Sequence, residues 1–180
     1  MIFYSIPYDI NKDIGKYYNA FMEKLSEDDY ACFIDGDAMF TTNTFGTQLY
    51  DIVNKYKDVG YFTCYTNRVA CKWQILDIVN KKNNDTEYHR NIGLKLQKEK
   101  YDQCTDVTNN KYLMSGVLIL IRKSEWQSVG GFDENGMIGV DNNFHDKMKK
   151  HNYKLYRMDG VYVYHWYRNN IWKNHNHLLK

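Results

Sequence analysis

The chain has 180 residues, enough to bury a sizeable core in one domain without disulfide or metal staples. Its formal net charge of +2 gives no basic footprint for nucleic acid. Four cysteines, at 32, 64, 71 and 104, form no C-x-x-C pair, which argues against a zinc or thiol-redox motif and predicts reduced structural thiols in a cytoplasmic protein.

Residues 2–6 read as a first strand, stopped by Pro7 because proline cannot donate to a ladder. The amino terminus has neither the charged n-region nor the apolar h-region of a signal peptide. No apolar run approaches the ~20 residues that span a bilayer, so no transmembrane segment is expected. A polar loop, Asp9 to Asp13, leads to Gly15 and a helix with Tyr17, Tyr18, Phe21, Met22 and Leu25 at helical spacing. The short apolar run Cys32 to Ile34 then predicts a buried strand ending in Asp35-Gly36-Asp37. In extended backbone, residues i and i+2 point to the same side. Both carboxylates can therefore face one spot at the strand end, where open α/β sheets build ligand sites. Gly36 places no side chain between them. Such a pair suits a hard divalent cation that also holds phosphate oxygens; the plainer reading is two loop acids closing a turn.

Thr41 to Thr44 supply capping residues for a helix with the apolar face Phe45, Leu49, Ile52, Val53 and Tyr56. Tyr61 to Tyr65 reads as a strand. Arg68 follows the end of that strand and is a candidate phosphate contact. Trp73 to Val79 predicts a short helix and Glu87 to Lys98 a longer one, separated by the solvated loop 81–85. His89 and His145 read as surface residues. Gly116 to Ile121 is the most hydrophobic strand, expected to be buried on both faces. Lys123 to Gln127 makes a helical turn broken by Gly130-Gly131, and a helix runs from Asp141, its N-cap, to about His151. Tyr153 to Met158 and Val161 to His165 read as a hairpin around Asp159-Gly160. A basic, aromatic tail over 166–180 is expected to pack on the domain.

Four motifs occur in a telling order. They are Gly15-Lys16-Tyr17-Tyr18-Asn19 leading into Ile34-Asp35-Gly36-Asp37; Ser115 to Leu120; Gly130-Gly131-Phe132-Asp133-Glu134 followed by Gly139-Val140-Asp141-Asn142-Asn143-Phe144; and Tyr162-Val163-Tyr164-His165. Together they resemble the family-two glycosyltransferases of the GT-A fold, which carry a DxD motif, and their galactosyltransferase-like relatives, over residues 1–65 and 113–168. The resemblance implies a single α/β domain over 1–180, with a mostly parallel central sheet and flanking helices. Residues 1–65 would form the donor and metal half and 113–168 the acceptor half. The chain departs from the family pattern where the loop 9–14 replaces a strand and helix, so the nucleotide-binding half is reduced and its usual base-binding acid is absent. The acid pair before the acceptor helix, usually Glu-Asp, is Val140-Asp141 here.

The implied activity is transfer of a hexose-type sugar from a nucleotide sugar, with UDP favoured, to an acceptor hydroxyl, with Mn²⁺ or Mg²⁺ as cofactor. The resemblance makes Asp37 and His165 metal ligands, with Asp35 serving the metal or the ribose. Asp141 becomes the general base of an inverting reaction; its plain role would be helix capping. Donor contacts are expected from Pro7, Tyr8, Asp9, Lys12, Lys16, Asn19, Asp35, Gly36, Ser115 and Gly116. Acceptor contacts are expected from Gly139, Asn142 and Asn143, with a glycan, lipid-linked sugar, protein or modified base as acceptor. Two other readings are a non-catalytic nucleotide-sugar or carbohydrate-binding module and a haloacid-dehalogenase-like phosphatase. In the phosphatases Thr or Val stands where this chain has Met39.

Overall fold

A computed structural model describes residues 1–134, 136 and 138–166. In chain order the elements are β1 (Ile2–Ser5), α1 (Ile14–Met22), β2 (Tyr30–Ile34), β3 (Ala38–Phe40), α2 (Phe45–Lys55) and β4 (Val59–Thr66). After a 3-10 turn at Lys72–Gln74 come α3 (Thr86–Lys100), β5 (Cys104–Asp106), β6 (Leu118–Arg122), α4 (Lys123–Ser128), α5 (Val140–Lys150) and β7 (Lys154–His165). The strands form one open seven-stranded sheet in the order β1-β2-β6-β4-β7-β3, with β5 also paired to β7.

The fold is α/β, but the sheet is mixed rather than mostly parallel. β1 runs parallel to β2 and β4 parallel to β7, as expected where a helix lies between paired strands. β6 runs antiparallel to both β2 and β4, and β3 and β5 run antiparallel to β7. Continuous apolar character predicts burial on both faces, which a central antiparallel strand between helical layers satisfies as well as a parallel one.

The period of two sorts the core. Ala31 and Phe33 of β2 and Ile119 and Ile121 of β6 face one side of the sheet, where Tyr18, Met22, Trp126, Phe132, Phe144 and Met148 cover them. Cys32 and Ile34 of β2 and Leu118 and Leu120 of β6 face the other, under Leu49, Ile52 and Val53 of α2. A smaller cluster of Val79, Leu96 and Tyr162 packs α3 against β7. All four cysteines are free, three of them buried, as structural thiols should be. Gly15 is required by close approach: a Cβ there would lie 1.8 Å from the Asp133 carbonyl oxygen, so α1 seats directly on the Gly-Gly-Phe turn.

Four further sequence expectations change. Asp159-Gly160 does not reverse the chain; β7 is one strand that follows β4 on both sides of a register shift at Cys64/Tyr65. The Asp159 carboxylate accepts from Thr105 Oγ1 on β5 at 2.6 Å and from Arg157 Nε, two residues back in β7, at 2.8 Å. Residues 73–79 give only the single 3-10 turn in place of a short helix. Gly139 caps α5 in the left-handed conformation, so Asp141 stands inside the first turn and leaves its carboxylate for other partners. His89 and His145 are fully buried rather than at the surface. The tail reading falls on residues 167–180, outside the described residues. Among the described residues no helix is long and apolar enough to cross a membrane.

Candidate metal centre and active-site cleft

β2 ends at Ile34, and the Ala38 N–H then donates to the Asp35 carbonyl at 3.0 Å, closing a turn over Gly36 and Asp37. The turn delivers the chain into β3, which pairs with the far end of β7 so that Ala38 lies opposite His165. This register brings the acids to the histidine. His165 Nε2 lies 3.0 Å from Asp37 Oδ1 and 3.6 Å from Asp35 Oδ2. One ligand atom from each of the three residues falls within 4.8 Å of the others.

The histidine is held from behind. Its Nδ1 lies 2.8 Å from the Arg68 carbonyl, which only accepts, so the proton sits on Nδ1 and Nε2 faces the carboxylates. This is the arrangement in which ring N–H bonding to a carbonyl orients an imidazole for a metal. The fully buried Asn67 receives the His165 backbone N–H on Oδ1 at 2.7 Å and donates Nδ2 to the His165 carbonyl at 3.1 Å. Its carboxamide continues the β4–β7 pairing one residue past the end of β4. Arg68, considered above as a phosphate contact, is instead buried, with its guanidinium bound to the Lys81 and Trp166 carbonyls.

The same device recurs. Gln74 takes the Ser115 N–H at 2.8 Å and donates to the Ser115 carbonyl at 3.0 Å. Asn19 takes the Phe132 N–H and donates to the Phe132 carbonyl, both at 2.9 Å. Three carboxamides thus fix three segments that carry or border the site. Neither Asn67 nor Gln74 figures among the expected site residues; for Asn67 the available signal was a polar amide beside the apolar run that ends β4, and for Gln74 there was none.

Asp35, Asp37 and His165 open into a cleft of about 380 Å³ that is also lined by Pro7, Gly36, Ser115, Gly116 and Asp141. Ile14, Tyr18 and Val140 complete the lining. Asp141 accepts the Gly116 N–H on Oδ2 at 2.7 Å and the Asn142 N–H on Oδ1 at 2.9 Å. Each oxygen keeps further acceptor capacity toward the cleft. Burial pushes the Asp35 carboxyl up to about 6; Asp37 and Asp141 add to this, and His165 opposes it. Burial acts in the same sense on Asp37, but the hydrogen bond and charge of His165 outweigh it and hold that carboxyl below the ordinary carboxylate range. Burial, with Asp35 and Asp141 nearby, also pushes the Tyr18 phenol well up.

Other expected contacts lie apart from this lining. Tyr8 is 72% exposed, and the Asp9 carboxylate is engaged by the Asn11 and Asp13 N–H groups at 2.7 and 3.1 Å. Lys12 sits in the left-handed region and Lys16 is exposed on the first turn of α1. Asn19 is consumed by the Gly-Gly-Phe turn and by the Trp126 indole, which donates to its Oδ1 at 3.0 Å. Gly139 and Asn142 line a second cleft that shares Ser115 and Asp141 with the first, while Asn143 is exposed.

Chemically, two carboxylate oxygens and one oriented imidazole nitrogen suit Mn²⁺ or Mg²⁺, the imidazole making Mn²⁺ acceptable alongside the harder ion. Together with Asp141 across the cleft, the set can hold an anionic ligand through a cation and present a carboxylate to it. Neither protein-family models nor curated protein sequences match this chain.

Proposed function

We propose that the protein is a metal-dependent glycosyltransferase that uses a nucleotide-sugar donor, with UDP favoured, and inverts the anomeric centre. The observation that carries the proposal is the meeting, in one cleft, of Asp35, Asp37 and His165 with Asp141 and the Ser115-Gly116 backbone. A divalent cation held by the first three residues would supply Lewis-acid stabilisation to the diphosphate leaving group. The remaining work belongs to the chain. Asp141 accepts the proton of the acceptor hydroxyl as that oxygen forms its bond to the anomeric carbon. The bond from that carbon to the phosphate oxygen breaks, and its electron pair leaves with the nucleoside diphosphate. Gly116 has no side chain, and a Cβ there would lie 3.1 Å from the Asp141 Cβ; its N–H aims Asp141. Tyr18, Ile14 and Val140 give the cleft apolar walls that limit water.

A second reading, a non-catalytic nucleotide-sugar binder, is favoured by one fact: both Asp141 oxygens already accept backbone N–H groups. The two readings part on turnover. A panel of nucleotide sugars with Mn²⁺, followed by diphosphate-nucleoside release, should find a donor in the wild type. Asp141→Asn should then lose ~10²–10⁴-fold in rate while keeping Mn²⁺–UDP affinity. Binding without turnover in the wild type selects the binder. No response to any nucleotide sugar, with Mn²⁺ shown bound, removes both.

A further inference from the structure

The wall formed by Ser115 and Asp141 has a second side. It also borders a cleft of about 620 Å³, larger than the metal cleft, whose lining includes Lys111 and Tyr112. The two clefts differ in charge. The metal cleft is lined by three carboxylates, Asp35, Asp37 and Asp141, whereas the second cleft is lined by one acid, Asp141, and one lysine, Lys111. A second ammonium, Lys72 Nζ, lies 5.9 Å from the Tyr112 ring centroid. Neither Lys72 nor Lys111 meets a carboxylate in an ion pair among the described residues, unlike Lys55 and Lys147. Tyr112 is 46% exposed, and its backbone is pinned by the Trp73 indole, which donates to the Tyr112 carbonyl at 2.9 Å. An aromatic face is thus presented at a fixed place beside two uncompensated cations.

We infer that this second cleft is the acceptor subsite and that it takes an acceptor bearing an anionic group, a carboxylate or a phosphate, at the end remote from the hydroxyl that reacts. This rests on the transferase reading. The orientation follows from electrostatics: a donor diphosphate and three carboxylates fill the first cleft with negative charge, so an acceptor's own anion is repelled from the Asp141 wall. Lys111 in the lining and Lys72 beside the Tyr112 ring attract it as mobile point charges. The hydroxyl end is then left facing Asp141, and a ring or apolar stem lies across Tyr112.

The experiment compares p-nitrophenyl β-glucuronide with p-nitrophenyl β-glucoside, which differ in the carboxylate, by titration calorimetry at low salt with and without saturating Mn²⁺–UDP. The glucuronide should bind about tenfold more tightly, the preference shrinking as salt is raised. It should bind alongside Mn²⁺–UDP rather than displace it. The double variant K72E/K111E, two side chains at the rim, should abolish the preference and leave Mn²⁺–UDP affinity unchanged. Equal binding of the two glycosides, binding of neither, displacement by UDP, or a preference that survives in the double variant would each overturn the inference. Loss of Mn²⁺–UDP binding in the wild type is a different failure: it removes the transferase reading, whatever the glycosides do.

Discussion

Among the three buried histidines of the described residues, His165 and His145 are wired in opposite senses. His165 lies behind the acids with Nδ1 donating to the Arg68 carbonyl, so Nε2 is the ring nitrogen turned toward Asp37, the one from which a bound cation would displace any proton. His145, on α5, does the reverse: its Nδ1 accepts the Met114 N–H at 3.2 Å, which leaves the proton on Nε2. That Nε2 finds no hydrogen-bond partner among the described residues. Burial, reinforced by Lys149, pushes His145 down to about 4. The contrast separates a histidine that can be a ligand from one that is a packing residue. Burial alone does not decide between them; the partner of Nδ1 does, because it selects which nitrogen keeps a lone pair.

The contrast breaks most visibly on metal binding. His165→Ala or Asp37→Ala should weaken Mn²⁺ by more than the ~10–100-fold that loss of an outer-shell partner costs. His145→Gln, which retains an acceptor for the Met114 N–H, should leave Mn²⁺ affinity unchanged. Isothermal titration on the three variants checks this. Equal losses at both histidines would mean that burial, not wiring, sets the role.

The second test is pH. Unfolded, His145 titrates near the ordinary histidine value of about 6.5; folded, it is held down to about 4. The unfolded chain therefore takes up the proton first as pH falls. The stability due to the neutral ring is complete above pH ~6.5, falls through the window down to ~4, and is not lost further below it. Urea unfolding at pH 7 and pH 4 should show the wild type losing roughly 3 kcal/mol more than His145→Gln over that window. Parallel pH curves for the two proteins would refute the assigned burial cost.

How much of this was readable in the sequence depends on how local each cause is. Asp35-Gly36-Asp37 at the end of an apolar strand was legible, since strand, acids and intervening glycine lie within a few residues. The faces of α1 and α2 were legible from their spacing, and the nearness of Asp37, Asp141 and His165 in one cleft from motif order. β3 was not: three residues, Ala38–Phe40, carry too little pattern to read as a strand, yet their pairing sets His165 beside Asp37. The single course of β7 was misread because Asp-Gly is a turn signal only when the aspartate side chain is not taken elsewhere, here by Thr105, 54 positions away, and by Arg157 within the strand. Strand direction in β6 was invisible, because burial on both faces looks alike in either direction. Asn67 and Gln74 are the plainest omissions. Their function is to imitate a peptide group for His165 and Ser115, a role defined only by residues 98 and 41 positions away.

Asn67 gives the third test. Asn67→Ala removes no ligand atom but leaves the His165 N–H and C=O unpaired in a buried site. Mn²⁺ affinity should fall ~10–100-fold, as for other outer-shell partners. Asn67→Asp keeps the acceptor for the His165 N–H and loses the donor to its carbonyl, so it should fall between Ala and wild type. Nitrogen NMR of the imidazole supplies the readout that a merely structural role would not move: the Nδ1–H form should predominate in the wild type and give way to a tautomer mixture in Asn67→Ala. An unchanged tautomer with weakened Mn²⁺ binding would place the fault in folding instead of positioning.

The smallest effect is expected at Asp35. Its Oδ2 is 3.6 Å from His165 Nε2, against 3.0 Å for Asp37 Oδ1, so the oriented imidazole and Asp37 form the tighter pair. The turn itself rests on the Asp35 backbone carbonyl, which Ala38 N–H approaches at 3.0 Å, so Asp35→Asn leaves the path of the chain intact. Removing one formal charge from a three-residue set while keeping an oxygen in place should weaken Mn²⁺ only severalfold. Affinity for UDP measured at saturating Mn²⁺ should fall at least as much, since Asp35 also faces the cleft that would hold the ribose. If Asp35→Asn instead abolishes Mn²⁺ binding as completely as Asp37→Ala, the two acids are equivalent ligands. The histidine–Asp37 pair would then lose its place as the fixed core of the site.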